Sequence, residues 1–476
     1  MIMTLAAFFE TTLPYGHILL ILAIGFGFYM AWNIGANDVA NAMGTSVGSG
    51  ALTIAKAVLI AAIMELAGAV LVGSHVTNTV RKGIFDPSAF EPMTLVLGFL
   101  AALLAAAVWL QTATWFGWPV STTHSIVGAV VGIAIVIGGA EIVKWPKVFE
   151  IAASWVTSPL CGGAISFFLF RFIQGRIINH KKPLSQAYRF TPYLVFYIGF
   201  VLTLVMVYKG LKNLKLDLNL WQALIVATVI GMVCFALGAA WVRKMKVKHN
   251  KERAEKGIEL QDDHPEGVPF VRKSDPDMEP ILRPPLAPGS KTPSKRWEYR
   301  RQFEYAKLEQ IFATLMVLSA CFLAFAHGAN DVANAIGPLA AVVEIVKTGE
   351  IADSAPVPLW ILLLGGAGIV IGLATWGYKV METVGKKITE LTPSRGFAAN
   401  IGAATTIVIA SRMGFPISTT HTLVGAVLGI GLARGIDYLN LKVVRDIAVS
   451  WIITIPAGGG LAAIFYFILK TLFARG

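Results

Sequence analysis

The chain has 476 residues, of which 55% are hydrophobic and 14% charged, with a formal net charge of +12. About a quarter of the residues in a soluble domain are charged, so an ordinary soluble protein is excluded; apolar runs of roughly 20 residues, each long enough to span a bilayer, instead predict an all-α polytopic membrane protein. The positive balance does not point to nucleic acid, because Lys and Arg crowd into Arg171–Arg189 and Arg243–Lys307, the pattern of cytoplasmic loops near anionic lipid heads, with no accompanying aromatic or glycine pattern.

The first basic residue is Lys56, so the positive flank of a cleavable signal peptide is missing. In the N-terminal apolar run, Gly35 to Ala42 reads GANDVANA. It places Asn37, Asp38 and Asn41 where hydrocarbon is expected, and an ionisable group at membrane depth by default marks a functional site. On a helix Asn37 and Asn41 share a face with Asp38 beside them, and the small neighbours let another backbone approach closely. Carboxylate and amide oxygens are hard donors that suit Na⁺ or a small divalent ion; the plainer alternative is hydrogen bonding between helices. Gly44 to Gly48, GTSVG, matches GxSxG formally, but without a strand context the reading as a serine hydrolase fails. No HExxH, P-loop or dinucleotide-binding pattern occurs, so no enzyme is expected. Glu65, inside IAAIMELAGAV, is another mid-span acid, a candidate for the cation site or a coupled proton.

Pro119 to Gly128 reads PVSTTHSIVG, a chain break followed by a fresh helix, since Pro favours the first turn and Ser or Thr the N-cap. Ser121, Thr122 and Thr123 then lie at a helix start within the membrane, where unpaired backbone N–H groups, the positive dipole end and hydroxyl donors form an anion site without any Arg. Gly128 and Gly132 have GxxxG spacing, read as close packing. His124 is read either as fixing the helix start or as taking part in transport. Two further spans, about 191–210 and 219–242, precede a polar stretch of about 243–306 whose run DPDMEPILRPPLAPGSKTP is rich in Pro and charge, predicting a mostly disordered cytoplasmic loop.

Roughly 295 residues after the first copies the phrases return in order. Gly328 to Ala335 is again GANDVANA, with Asn330, Asp331 and Asn334, and here His327 replaces Ile34. Pro416 to Gly425 reads PISTTHTLVG, with Ser418, Thr419, Thr420 and His421, and Ser154-Trp155 then Pro159 matches Ser450-Trp451 then Pro456. The chain therefore divides into membrane repeat A at 13–172, two intervening spans at 191–242, the loop at 243–306 and membrane repeat B at 308–473. A flank without Lys or Arg before repeat A and a basic segment after it make repeat A cross an odd number of times, so repeat B starts from the opposite side. The expected architecture is two inverted repeats with the site where they meet. Cys161, Cys234 and Cys321 lie far apart in apolar segments, which reads as buried structural thiols.

An oxyanion near two aspartates would be repelled unless a cation screened them, so the two motif types make sense together as a symport site; an anion channel would more simply use rings of Arg or Lys. These residues resemble the inorganic phosphate transporter (PiT) family, over both repeats and also in Gly44 to Gly50 (GTSVGSG) and Thr79 to Gly83 (TVRKG). The resemblance implies secondary uptake of inorganic phosphate driven by Na⁺ or H⁺, about 12 membrane segments with re-entrant half-helices, and a homodimer in the plasma membrane, with no cofactor beyond the coupling ion. It implies that Ser121, Thr122, Thr123, Ser418, Thr419 and Thr420, with Asn37 and Asn330, hold the phosphate, and that Asp38, Asn41, Asp331, Asn334, Glu65 and His327 serve the coupled cation. One position departs: Asn400, in GFAANIG, stands where relatives often have Glu, which bears on the coupling ion more than on the substrate. The alternatives are a sulfate or other oxyanion symporter of the same family, and a metal-cation carrier using the paired acidic motifs alone.

Overall fold

The structure is a computed structural model describing residues 11–72, 83–87, 90–207, 218–256, 295–351, 357–382 and 388–473, without the side chains of residues 41, 205, 295–301, 382 and 412. The described residues are helical, with no strand beyond an isolated bridge between Phe85 and Val143. Helices suit apolar segments in a membrane because hydrocarbon offers no partner to a backbone amide, and a helix satisfies its own. The elements are α1 Gly16–Ile34, α2 Ala40–Gly48, α3 Ile54–Val72, α4 Pro92–Trp115, α5 Thr122–Gly138, α6 Trp145–Ile173, α7 Pro183–Val207, α8 Leu220–Glu255, α9 Lys295–Thr348, α10 Leu359–Trp376, α11 Pro393–Met413, α12 Thr419–Arg434 and α13 Leu441–Phe473. Their starts carry local signals: proline in the first turn of α4, α6 and α11, and a capping box at α8 built from Asn219 and Gln222.

The helix contacts come in matched pairs. α3 packs on α9 and α10 on α1; α5 packs on α13 and α12 on α6; α4 meets α13 and α11 meets α6. Two of these pairings are backbone-to-backbone. A Cβ at Gly372 would lie 1.7 Å from the Trp32 carbonyl oxygen, and one at Gly328 would lie 2.3 Å from that of Glu65. Small residues let helices approach this closely where the bilayer gives no hydrophobic drive between them. The glycine pairs after the triplets do the same: a Cβ at Gly128 would meet the Ile455 carbonyl at 2.6 Å, and one at Gly425 that of Pro159 at 2.3 Å.

Nine helices among the described residues are long and apolar enough to cross a membrane, fewer than the twelve segments implied by the resemblance. α5 is apolar but has 17 residues, α12 has 16, and α11 carries Ser394, Arg395, Asn400, Thr405 and Thr406. Helix also extends into both ends of the 243–306 segment. α8 runs on to Glu255 through residues of good helix propensity, and Lys307 of α9 pairs with Glu252. Residues 257–294, with the disorder expected of them, lie outside the described residues. So do most of the Thr79–Gly83 phrase and the side chain of Asn41. None of the three cysteines is buried: Cys161 is exposed and Cys234 and Cys321 are partly so, all as free thiols. An apolar segment does not imply a buried side chain here, because the outer face of a spanning helix is solvated by lipid.

Gly372→Ala is expected to lower the thermal unfolding midpoint of the purified protein in detergent, since over-packing costs about 1–3 kcal/mol. Gly25→Ala, where nothing lies within 4 Å of the new methyl group, should leave it unchanged or raise it. Equal midpoints for the two variants would refute the close crossing.

Candidate functional site

Both triplets sit at helix starts inside the protein. Ser121 and Ser418 adopt extended backbone angles and cap α5 and α12, each accepting a hydrogen bond at 3.1 Å from the backbone N–H of His124 or His421. The remaining first-turn N–H groups of a helix have no carbonyl above them, so the two starts present donors and positive dipole ends. All six Ser and Thr side chains are buried. Asparagines hold the loops leading into these starts. Asn37 donates to Thr114 Oγ1 at 2.9 Å and to the Trp118 carbonyl at 3.0 Å, while its own oxygen accepts from Val120 N at 3.2 Å. Asn330 repeats this, donating to Ser411 Oγ at 2.8 Å and to the Phe415 carbonyl at 3.3 Å. Expected among the phosphate ligands, these two amides spend their N–H groups on loop geometry.

The hydroxyls converge on the aspartates. Asp38, 2% exposed, lies in a π-helical turn, Gly35–Val39, that joins α1 to α2; such turns recur at functional sites. It accepts from Thr122 of the first triplet at 2.5 Å and, through its other oxygen, from Thr420 of the second. Asp331, fully buried, accepts from Thr419 at 2.5 Å and from Asn334 at 3.3 Å. Asn334 also reaches Thr122 at 3.2 Å and Thr123 at 3.1 Å, and Thr123 donates to the Ile417 carbonyl at 2.9 Å. Each half thus supplies hydroxyls to the other.

One feature breaks the pairing. Glu65 Oε2 lies 2.9 Å from His327 Nδ1, and His327 Nε2 lies 2.8 Å from Asp331 Oδ2. The matching place beside Asp38 is apolar: Ile34 precedes Gly35, and the backbone opposite Gly35 is that of Ile369, as the backbone opposite Gly328 is that of Glu65. His327 thus links Glu65 of one half to Asp331 of the other, with an imidazole nitrogen beside each acid. Asp38, His327 and Asp331 present ligand atoms within 4.8 Å of one another, and with the threonine hydroxyls and the Asn334 amide around them the donors are mostly hard oxygens, the set that suits Na⁺. Asn400 stands apart, bonded to Thr45 at 2.7 Å and near Ser319 at 3.4 Å, a neutral cluster without an acid.

Several site residues were not singled out for chemistry from the sequence. Trp155 Nε1 donates to the Pro416 carbonyl at 3.4 Å and Trp451 Nε1 to that of Pro119 at 3.3 Å, so an indole from each half holds the break of the other. Between them the rings of His124 and His421 lie 4.2 Å apart, each against a tryptophan. The signal available was the duplicated Ser-Trp phrase. Thr114 and Ser411 carried none, lying in unremarkable apolar runs.

The sequence profile of the phosphate transporter family matches residues 34–462. An inorganic phosphate transporter of Arabidopsis thaliana, named as chloroplastic, is 44% identical over 454 residues, covering 94% of this chain and 71% of its own. A Haemophilus influenzae relative is 43% identical over 470 residues, 98% of this chain and 100% of its own. A solved structure titled as the sodium-dependent phosphate transporter superposes with a TM-score of 0.79 at 38% identity, over 96% of this chain and 100% of that one.

The bond from Thr420 to Asp38 ties the second triplet to the first GANDVANA. A double-mutant cycle of Thr420→Val and Asp38→Asn, read by unfolding in micelles, is expected to give a coupling energy of about 1.5 kcal/mol or more, as for hydrogen bonds to charged groups. Strict additivity would remove that bond from the site.

Proposed function

This chain belongs to the phosphate transporter family, and on that premise we propose that it imports inorganic phosphate by symport with a cation. The observation that carries the reading is the double bonding of Asp38, by Thr122 from one triplet and Thr420 from the other. A threonine hydroxyl has one proton to donate. Given to a carboxylate, it is withheld from phosphate; turned toward phosphate, it leaves a buried carboxylate short of a donor, at considerable cost. A cation beside Asp38 and Asp331 offsets that cost, so anion and cation bind better together than apart. In this reading Ser121, Thr122, Thr123, Ser418, Thr419, Thr420 and the first-turn N–H groups of α5 and α12 hold phosphate. Asp38, Asp331, Asn334, Glu65 and His327 serve the cation, and Asn37 and Asn330 position the two loops.

Two carboxylates within reach of the triplets favour phosphate over sulfate, because hydrogen phosphate can donate a proton to an acceptor and sulfate cannot. The oxygen-rich donor set and the sodium-dependent title of the solved neighbour support Na⁺, while the buried chain of titratable groups Glu65, His327 and Asp331 supports a contribution from H⁺. The paired contacts support two inverted repeats, 13–172 and 308–473, flanking the 191–242 spans and the 243–306 segment. α5 and α12 are then re-entrant half-helices that meet near the midplane, where rocking of the two halves exposes the site alternately.

Uptake of radiolabelled phosphate into proteoliposomes, with Na⁺ and pH gradients imposed separately, tests the function; uptake that ignores both gradients, or that sulfate competes for equally, would sink it. Asp38→Asn and Asp331→Asn should each abolish gradient-driven uptake in folded protein. Thr122→Val and Thr419→Val should raise the KM for phosphate about tenfold or more, the loss of a hydrogen bond to a charged group. A tag within 243–306 should be reachable only from the cytoplasm and both termini only from outside; termini on opposite sides would end the inverted-repeat reading.

A further inference from the structure

The transport reading makes no use of a cavity on the outer side of α6 and α7. A groove of about 510 Å³ lies between α6, α7 and α11, lined by Leu169, Phe172, Tyr193, Tyr197 and Phe397 among others, with Arg189 on its wall. Its size falls in the range of pockets that take one small organic ligand, roughly 300–1,000 Å³. It is far from the triplets in character, being almost wholly apolar and aromatic. It is also open to the outer surface, since Tyr193 is 59% and Phe172 40% exposed. Phe168 and Leu160 of α6 are 70% and 66% exposed, an apolar outer face of the kind hydrocarbon solvates.

Charge fixes the chemistry of the occupant. Arg189 is exposed, its guanidinium resting over the Phe190 ring at 5.8 Å, and no carboxylate among the described residues pairs with it. Arg171 in the last turn of α6 and Arg176, Lys181 and Lys182 on the connection to α7 are exposed along the way to it. No acidic residue occurs in the sequence between Glu150 and Asp217. This is a basic belt at the cytoplasmic edge of two spans, where an anionic headgroup is attracted at the surface while its chains stay in hydrocarbon. Tyr197 of the groove is hydrogen-bonded to Thr405 of α11 at 3.1 Å, and Phe397 and Ile401 of α11 line it, so an occupant would rest against the helix that precedes the second triplet.

We propose that this groove is a binding site for an anionic phospholipid of the cytoplasmic leaflet, its acyl chain lying among Leu169, Phe172 and Phe397 and its phosphate on Arg189. The inference does not depend on what the protein transports, and its test involves no transport. The full chain is reconstituted in nanodiscs of phosphatidylcholine mixed with phosphatidylglycerol, released, and the lipids retained are counted by native mass spectrometry. The wild-type chain should retain phosphatidylglycerol over phosphatidylcholine by about fivefold or more, the fold-change matching one basic residue at an anionic surface. Arg189→Glu and the milder Arg189→Gln should lose that preference, and Leu169→Trp, which fills the groove, should retain less of both lipids. Equal retention of the two lipids by the wild-type chain, or an undiminished preference in Arg189→Gln, overturns the proposal. So does efficient cross-linking of two chains through Tyr193→Cys in the bilayer, which would show a second copy seated there instead.

Discussion

Placing carboxylates inside a bilayer is the constraint on which the rest of this structure depends. Asp38 and Asp331 are buried among helices long and apolar enough to span, and a buried acid without partners is among the most expensive groups a membrane protein can hold. Every unusual local feature nearby supplies a partner. The helix starts at Thr122 and Thr419 bring hydroxyls to the acids, the capping serines complete those starts, and Asn37 and Asn330 fix the loops that lead into them. The glycine-rich crossings of α1 with α10 and of α3 with α9 let the aspartate-bearing helices come close enough for this.

The hydrogen bonds also tie the two halves to each other. Thr420 reaches Asp38, Asn334 reaches Thr122 and Thr123, and each tryptophan holds the opposite break. Neither half satisfies all its polar groups alone: Asp38 draws on Thr420 and Glu65 on His327 from the other half, and Asn334 gives its N–H groups to Thr122 and Thr123. A site built this way changes as one unit: moving the second triplet alters the partners of both aspartates, and moving the first alters those of Asp38 and Asn334. That property is what coupling between two ligands requires, because a differential interaction at one place must be felt at the other.

The exception to the pairing carries its own lesson. Ile34 and Ile369 on one side stand where His327 and Glu65 stand on the other, so the two aspartates are chemically unequal although their flanking octapeptides are identical. The backbone differs as well: the first GANDVANA contains a π-helical turn and the second continues α9 as α-helix. Eight identical residues in two hydrogen-bond registers show that surroundings, rather than local propensity, chose between them.

What the sequence determined by itself was the class, the helical content and the identity of the polar groups, because long apolar runs dictate helices and a duplicated acid in such a run is too costly to be incidental. The helix starts at Ser121 and Ser418 were legible for the same reason: proline and serine chemistry acts within a few residues. What only the tertiary structure decided was who meets whom. The role of Asn37 in holding the Trp118–Val120 loop, the crossing of Thr420 to Asp38, and the edge-on meeting of His124 with His421 all join residues more than 80 positions apart. Sequence spacing says nothing about such distances, because they are set by which helix faces pack together. Cys161, exposed on its helix, makes the same point from the opposite side, since composition shows that a segment is apolar but not whether its neighbour is another helix or lipid.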